Sequence, residues 1–246
     1  MKRAKIGIIG CGVIGSAVAK AIRKKFPKDA VVAYVCDCDR SKAVRLCRAV
    51  GGSARVSSLG DLIRRSDVVI EAASAAVSGE VVRKSLKHGK KVLVMSVGGL
   101  LAVKNLFTLA KQSRGRVWIP SGAISGVDGL NAAAQAGVQR VRLRTRKPPA
   151  GLRGAPYFKT RKFPVLRGNE ERCVFRGNAL RAAKAFPQNI NVASVLSLAG
   201  IGPKKTRVEI WTSRKYSANQ HEVTVEGDFG SRSEEHTSEL QSRVDI

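Results

Sequence analysis

Residues 10–15 read GCGVIG, and this stretch decides the fold prediction. It follows a short apolar run at residues 3–9 and precedes a segment whose apolar residues have helical spacing. Gly10 suits a tight turn, Gly12 lets the backbone approach a pyrophosphate, and Gly15 allows close packing of helix on sheet. The helix N-terminus then offers N–H groups and a partial positive charge to phosphates. The stretch therefore predicts a dinucleotide-binding turn, the alternative being a glycine-rich turn that binds nothing.

An acidic residue stands where a dinucleotide-binding unit needs one. Asp37 lies 22 residues beyond Gly15, at the end of a second apolar run. Its carboxylate would accept hydrogen bonds from the adenosine ribose, which favours NAD. Arg40 and Lys42 follow closely and could accommodate a 2′-phosphate, so NADP stays open. The candidate cofactor-binding residues of this region are Gly10, Gly12, Val13, Ile14, Gly15 and Asp37.

Strands and helices alternate through the first half of the chain. Apolar runs predict strands near residues 3–9, 31–35, 68–70, 92–95 and 117–119, with helices near 16–26, 41–50, 78–87 and 100–112. Continuously apolar strands that alternate with helices indicate an α/β fold with a Rossmann-type parallel sheet covered on both faces.

The alternation of predicted strands and helices ends after Pro120. Helices are predicted near residues 126–136, 178–186 and 191–198, and strands near 138–145, 207–212 and 221–226. Because these elements do not alternate strictly, they predict a second, α+β domain. The predicted organisation is a dinucleotide-binding domain at 1–119, an α+β catalytic domain at 120–230 and a tail at 231–246.

The composition narrows the class of protein. The chain has 246 residues, of which 43% are hydrophobic and 26% are charged, as expected for a globular protein with a core. Its net charge of +27 suggests anionic partners without choosing among them. No uncharged run is long enough to cross a bilayer, so no membrane partner is predicted. Only 5% of the residues are aromatic and no nucleic-acid-binding module is recognisable, so no nucleic-acid partner is predicted. The five cysteines form no C-x-x-C pair, which indicates reduced thiols in a cytoplasmic protein and no metal site.

Histidines and one arginine-rich strand are the remaining candidates for chemistry. His88 lies in a charged turn and is expected to be solvated. His221 begins an alternating strand, a pattern that by itself favours a structural or surface role, with a general base as the alternative. Four arginines alternate and must share one strand face, which is either an anion-binding surface or a solvated face: Arg140, Arg142, Arg144 and Arg146.

Four further segments resemble the L-aspartate dehydrogenase family. They are PSGAISGVDGL at 120–130, VRLRTRKPP at 141–149, FPQNINVASVLSLAGIG at 186–202 and NQHEVTVEGDFG at 219–230. The resemblance implies oxidative deamination of L-aspartate with NAD or NADP, NAD being preferred. The reaction would pass through iminoaspartate to oxaloacetate and ammonia and feed NAD biosynthesis. The resemblance also implies a homodimer.

The same resemblance assigns roles to individual residues. It implies cofactor contacts at Ala123 and at Asn191, with Asn189 as the neighbouring candidate, and it places the catalytic histidine at His221. One imidazole would take a proton from the substrate ammonium group and then activate water for hydrolysis of the imine. Lys147 is a candidate for binding a substrate carboxylate.

Residues 232–242 read RSEEHTSELQS and resemble the translation of a sequencing-adapter oligonucleotide. We therefore expect a non-native tail from Ser231 that replaces the family's C-terminal segment and leaves a truncated enzyme.

Two other classes of protein stay open. One is another two-domain Rossmann oxidoreductase, similar to homoserine dehydrogenase or dipicolinate reductase. The other is a basic nucleic-acid-binding protein with an incidental glycine turn.

Overall fold

The glycine-rich stretch joins a buried strand to a helix in the computed structural model, which describes residues 2–188 and 190–238. The chain divides into two units between Pro120 and Ser121. No helix in the described part of the chain is long and apolar enough to cross a bilayer.

The N-terminal unit is built from alternating strands and helices. Its strands are β1 (Ala4–Ile9), β2 (Ala30–Cys36), β3 (Arg55–Val56), β4 (Val68–Glu71), β5 (Lys91–Val94) and β6 (Arg116–Trp118). Its helices are α1 (Val13–Lys25), α2 (Arg40–Ala49), α3 (Leu59–Arg65), α4 (Ala75–Lys87) and α5 (Leu106–Gln112), with a 3-10 helix at Val97–Ala102. Within residues 2–120 the strands form one parallel sheet in the order β3-β2-β1-β4-β5-β6.

The central position of β1 follows from its apolar sequence. Ile8 lies opposite Val35 of β2 on one side and Ile70 of β4 on the other. All three side chains are buried, as a strand covered on both faces requires. The strand order reverses between β1 and β4, so a crevice lies at their carboxyl ends. The predicted α/β fold with a Rossmann-type sheet is confirmed.

Helical periodicity missed two features of this unit. The short helix α3 begins after Ser58, whose side chain accepts a hydrogen bond from the backbone N–H of Asp61. The helix predicted near 100–112 is instead a 3-10 helix followed by α5. The 3-10 helix ends at Ala102, and α5 starts after Asn105, its N-cap, whose backbone is left-handed (φ 54°).

The C-terminal unit contains a mixed sheet. Its strands are β7 (Val138–Lys147), β8 (Arg172–Asn178), β9 (Arg207–Thr212), β10 (Asn219–Gly227) and β11 (Gly230–Ser238). Its helices are α6 (Val127–Gln135), α7 (Ala150–Arg153), α8 (Ala179–Ala185) and α9 (Asn191–Ala199), with a 3-10 helix at Pro156–Phe158. In the described residues the strand order is β11-β10-β7-β9-β8, with β7 and β9 parallel and the other neighbours antiparallel.

The two faces of β7 carry different chemistry. Its odd-numbered residues from Val141 to Lys147 are buried, and the helices α6 and α9 pack in this part of the unit. Val141 and Leu143 come first along the buried face, and Thr145 and Lys147 follow. The buried face therefore changes from apolar to polar toward the end of β7.

Two strands of the C-terminal unit differ from the sequence expectation. β8 occupies residues 172–178, where no strand was predicted, because a register shift between Cys173 and Phe175 breaks its alternation. The segment from Ser231 was expected to lie outside the fold, yet residues 231–238 belong to β11 and pair along β10. The tight turn before β11 uses Gly230, whose φ is +92°.

Candidate active site

The three glycines of the turn between β1 and α1 serve different purposes. Gly10 has φ of +91°, and a Cβ there would meet the backbone of Ala72 and lie 2.6 Å from Cα of Ala73. A Cβ on Gly15 would collide with the carbonyl oxygen of Gly10. Around Gly12, in contrast, no described atom lies within 4 Å of the Cβ position. The fold thus needs Gly10 and Gly15, whereas Gly12 keeps a space open.

The N-terminus of α1 fits the pyrophosphate of a dinucleotide. Gly12 is the N-cap, no side chain caps the helix, and its first turn contains no acidic residue. The N–H groups of such a turn satisfy an anion, and the helix dipole favours negative charge there. Val13 and Ile14 are 72% and 51% exposed in the N-terminal unit. The predicted contacts of these two residues with the cofactor stay predictions.

Asp37 braces the glycine turn from the end of β2. Its Oδ2 accepts a hydrogen bond from the backbone N–H of Cys11 at 2.6 Å, and its Oδ1 accepts one from Asp39 at 2.8 Å. Burial alone would raise the pKa of this carboxyl, but the two N–H donors hold the pKa below its usual value. Each carboxylate oxygen can accept more than one hydrogen bond, so the predicted contact with a ribose hydroxyl is compatible with this bracing.

The C-terminal unit buries His221 at the start of β10. Its register places His221 directly opposite Thr145 of β7, and Thr145 Oγ1 lies 3.1 Å from Nδ1 of the imidazole. His221 is only 3% exposed. Burial, followed by the positive charge of Lys147, lowers the pKa of His221 to about 4. The imidazole is therefore neutral at pH 7 and able to accept a proton.

Lys147 lies further along the same buried face. Its Nζ donates a hydrogen bond to Oδ1 of Asn219 at 3.2 Å, and Thr212 Oγ1 donates to the Lys147 carbonyl at 2.9 Å. The residue is 1% exposed, and burial lowers its pKa to about 8. A lysine cation held in a low-dielectric site is a strong binding group for a carboxylate.

The other predicted site residues of the C-terminal unit lie in its turns and helix ends. Ala123 is half-buried in the turn that precedes α6, next to Gly122, whose φ is +67°. Asn191 is the first residue of α9. Asn189 lies outside the described residues. Their proposed cofactor contacts stay predictions.

The four alternating arginines share the face of β7 opposite to His221, and carboxylates already pair with them. Arg140 contacts Glu226, Arg144 contacts Glu209, and Arg146 contacts Glu222 at N–O distances of 2.6, 3.3 and 2.9 Å. Such pairs neutralise much of the positive charge, so the geometry does not favour an anion-binding surface.

Thr145 and Asn219 are polar neighbours of the candidate site that sequence reasoning did not select. Strand alternation could have identified both. Thr145 lies two residues before Lys147 on β7, and Asn219 lies two residues before His221 on β10, so the members of each pair share a strand face. A polar residue at the end of an otherwise apolar strand face can therefore be identified from the sequence as a candidate site residue. In the described part of the chain, no group of three His, Cys, Asp or Glu side chains could hold a metal ion.

The N-terminal unit has a parallel sheet and a glycine turn suited to a dinucleotide, and the C-terminal unit buries a neutral histidine beside a lysine. Together these features define the class of the protein as a two-unit nicotinamide-dependent oxidoreductase. Family comparisons give the same class. Residues 10–120 match the family described as "Homoserine dehydrogenase, NAD binding domain", and residues 128–244 match "Aspartate dehydrogenase, C-terminal".

Individual relatives then identify the family. The L-aspartate dehydrogenase of Methanosarcina mazei is 42% identical over 230 residues, which cover 92% of this chain and 84% of that protein. L-aspartate dehydrogenase 3 of Bordetella bronchiseptica is 35% identical over 223 residues, covering 91% and 82%. This chain belongs to the L-aspartate dehydrogenase family, as the resemblance predicted.

Solved structures agree with this assignment. The aspartate dehydrogenase of Thermotoga maritima matches with a TM-score of 0.70 and 25% identity, covering 96% of this chain and 89% of that one. A myo-inositol dehydrogenase of Lactobacillus casei, at 14% identity and a TM-score of 0.56, shares the fold alone. The comparisons give no evidence that the C-terminus has been replaced, since the family match extends to residue 244.

Proposed function

We propose that this chain catalyses the oxidative deamination of L-aspartate by NAD⁺ or NADP⁺. The observation that carries the proposal is the buried, neutral His221 with Lys147 beside it, in a chain of the L-aspartate dehydrogenase family. Oxidation of the amine needs a base, and a substrate with two carboxylates needs a cation. The two side chains supply one of each.

The chemistry assigns a step to each group. His221 takes a proton from the α-ammonium group, because only the neutral amine can release hydride from Cα. The nicotinamide supplies the hydride acceptor when the cofactor is bound. His221 then assists the attack of water on the imine. Overall, aspartate, NAD(P)⁺ and water give oxaloacetate, ammonium, NAD(P)H and a proton.

A dianionic substrate also improves His221 as a base. With a pKa of about 4, the free imidazole is weakly basic for a reaction at neutral pH. Two carboxylates near Lys147 would offset the lysine charge that now lowers this pKa. We therefore expect the pKa of His221 to rise when aspartate binds, so that the imidazole becomes an effective base at neutral pH only in the complex.

We also propose NAD as the preferred cofactor. The ionised Asp37 at the end of β2, with Asp39 next to it, would repel the 2′-phosphate of NADP. A homodimer remains a proposal from family resemblance, and a cytoplasmic location remains a proposal from the cysteines. The described cysteines are free thiols, which supports a reducing compartment.

A substrate panel tests the function. Purified protein is incubated with NAD⁺ or NADP⁺ and L-aspartate, L-glutamate, L-alanine or L-homoserine, and the absorbance of the reduced nicotinamide is followed. We expect activity with aspartate, and a lower dissociation constant for NADH than for NADPH by titration of nucleotide fluorescence. Activity with homoserine and none with aspartate would instead support the homoserine-dehydrogenase-like alternative.

Lys147→Met is expected to weaken dicarboxylate binding. Succinate is the probe, because it has both carboxylates but no amine that titrates. We expect its inhibition constant to rise about tenfold to a hundredfold, the effect of losing a charged hydrogen bond. In the wild type the lysine cation is present below its pKa of about 8 and is lost above it, so succinate binding should weaken as pH rises through 8.

The exposed Lys159 in the same unit provides the matched control. Lys159→Met removes the same charge and should leave the inhibition constant unchanged. A Lys147→Met enzyme that binds succinate like the wild type, at pH 7 and at pH 9 alike, would rule out this role for Lys147.

A further inference from the structure

The end of β4 carries a buried carboxylate that neither the glycine turn nor the catalytic pair uses. Glu71 is the last residue of β4 and is completely buried. Its Oε1 accepts a hydrogen bond from the backbone N–H of Ala73 at 2.9 Å, and its Oε2 accepts one from Ser96 at 3.0 Å. Burying a carboxylate is costly unless N–H donors satisfy both of its oxygens. Here a single side chain joins two loops.

These two loops lie at the carboxyl edge of the parallel sheet. Ala73 belongs to the loop after β4, and Ser96 to the loop after β5. The loop after β4 also forms one wall of the glycine turn, because Ala72 and Ala73 fill the space beside Gly10. Glu71 therefore connects the loop after β5, through the loop after β4, to the glycine turn.

The position of these loops indicates which half of a dinucleotide they serve. In this fold the pyrophosphate lies over the glycine turn, and the acid at the end of β2 serves the adenosine ribose. The strand order places β4 and β5 on the other side of β1 from β2. The loops that Glu71 joins therefore border the part of the crevice left for the nicotinamide end.

We propose that Glu71 is a positioning residue whose buried carboxylate holds the loops after β4 and β5 against the glycine turn, and so shapes the part of the cleft that receives the nicotinamide end of the cofactor. The proposal depends on nucleotide binding by the N-terminal unit and not on the identity of the amino-acid substrate. Its test can therefore fail while the proposed deamination stands, and the reverse.

Glu71→Gln is the informative change because it keeps the size of the side chain. The new amide NH₂ group must face one of the two backbone N–H donors, so one loop loses its partner. Two ligands separate the halves of the cleft: ADP occupies only the adenosine and pyrophosphate part, whereas NADH occupies both. We expect the dissociation constant for NADH to rise about tenfold, and that for ADP to change less than about twofold.

Controls distinguish positioning from a general loss of stability. Glu80→Gln removes an exposed carboxylate on α4 and should change neither constant. Thermal unfolding by circular dichroism shows whether each variant is folded, and Glu71→Met, which leaves no polar group in the cavity, is measured if Glu71→Gln does not fold. Equal weakening of ADP and NADH binding, an unchanged NADH constant, or unfolding of both Glu71 variants would each overturn the proposal.

Discussion

Gly12→Val is expected to abolish binding of NAD(H) while the N-terminal unit stays folded. A valine at this position has room, because no described atom lies within 4 Å of the Cβ position and the backbone φ of −75° suits any L-residue. The branched side chain would occupy the space in front of the α1 N-terminus, where the pyrophosphate is expected. Fluorescence titration with NADH should show no saturable binding, and circular dichroism a spectrum like that of the wild type.

Two other glycines make this prediction specific. Gly60→Val changes an open glycine on α3 and should leave NADH affinity unchanged. Gly15→Ala forces a methyl group onto the Gly10 carbonyl and should lower the melting temperature together with NADH affinity. If Gly12→Val bound NADH normally, the turn would be a structural feature and not the pyrophosphate site.

The sequence predicted the N-terminal unit well because its signals are local. Buried parallel strands are continuously apolar, and a dinucleotide turn needs glycines at fixed positions, so β1, GCGVIG and Asp37 could be found without knowing the sheet. Glu71 was missed although it is equally local. A glutamate at the end of VVIE has no distinctive spacing, and only the loops after β4 and β5 show which N–H groups it satisfies.

The C-terminal unit was harder to predict because its site depends on strand pairing. The sequence alone indicates only that His221 begins an alternating strand. Its burial follows from the β7–β10 register, which places His221 opposite Thr145. Without family resemblance that register cannot be derived, because strand order in a mixed sheet is not local. β8 was missed for a related reason, since its register shift removes the period of two on which strand prediction depends.

His221→Ala is expected to lower kcat by about 10²–10⁴, the usual contribution of a general base, with little effect on NAD affinity. The neutral imidazole is the group that can take the ammonium proton, and Thr145 fixes its orientation through Nδ1. Steady-state rates with saturating aspartate and NADH titration measure the two quantities separately. His88→Ala, which removes an exposed imidazole at the end of α4, is the matched control and should retain full activity.

A loss of packing must be separated from a loss of the base. His221→Gln fills most of the cavity and keeps a hydrogen-bonding group opposite Thr145, yet it cannot accept a proton at neutral pH. We expect His221→Gln to be as slow as His221→Ala but close to the wild type in melting temperature. If His221→Gln kept the wild-type kcat, another group would have to be the base.

The pH dependence of stability tests the buried state of the same imidazole. Its pKa is about 4 in the folded chain against 6.5 for an ordinary histidine, so the unfolded chain binds the proton more readily. The free energy of unfolding should therefore fall as pH decreases from about 6.5 to about 4, by about 3 kcal/mol from this residue. His221→Gln should lose that part of the decrease in urea titrations, whereas His88→Ala should keep it. A His221→Gln profile identical to that of the wild type would mean that the imidazole is hydrated in solution, and the argument for a neutral base at pH 7 would then depend on its ordinary pKa alone.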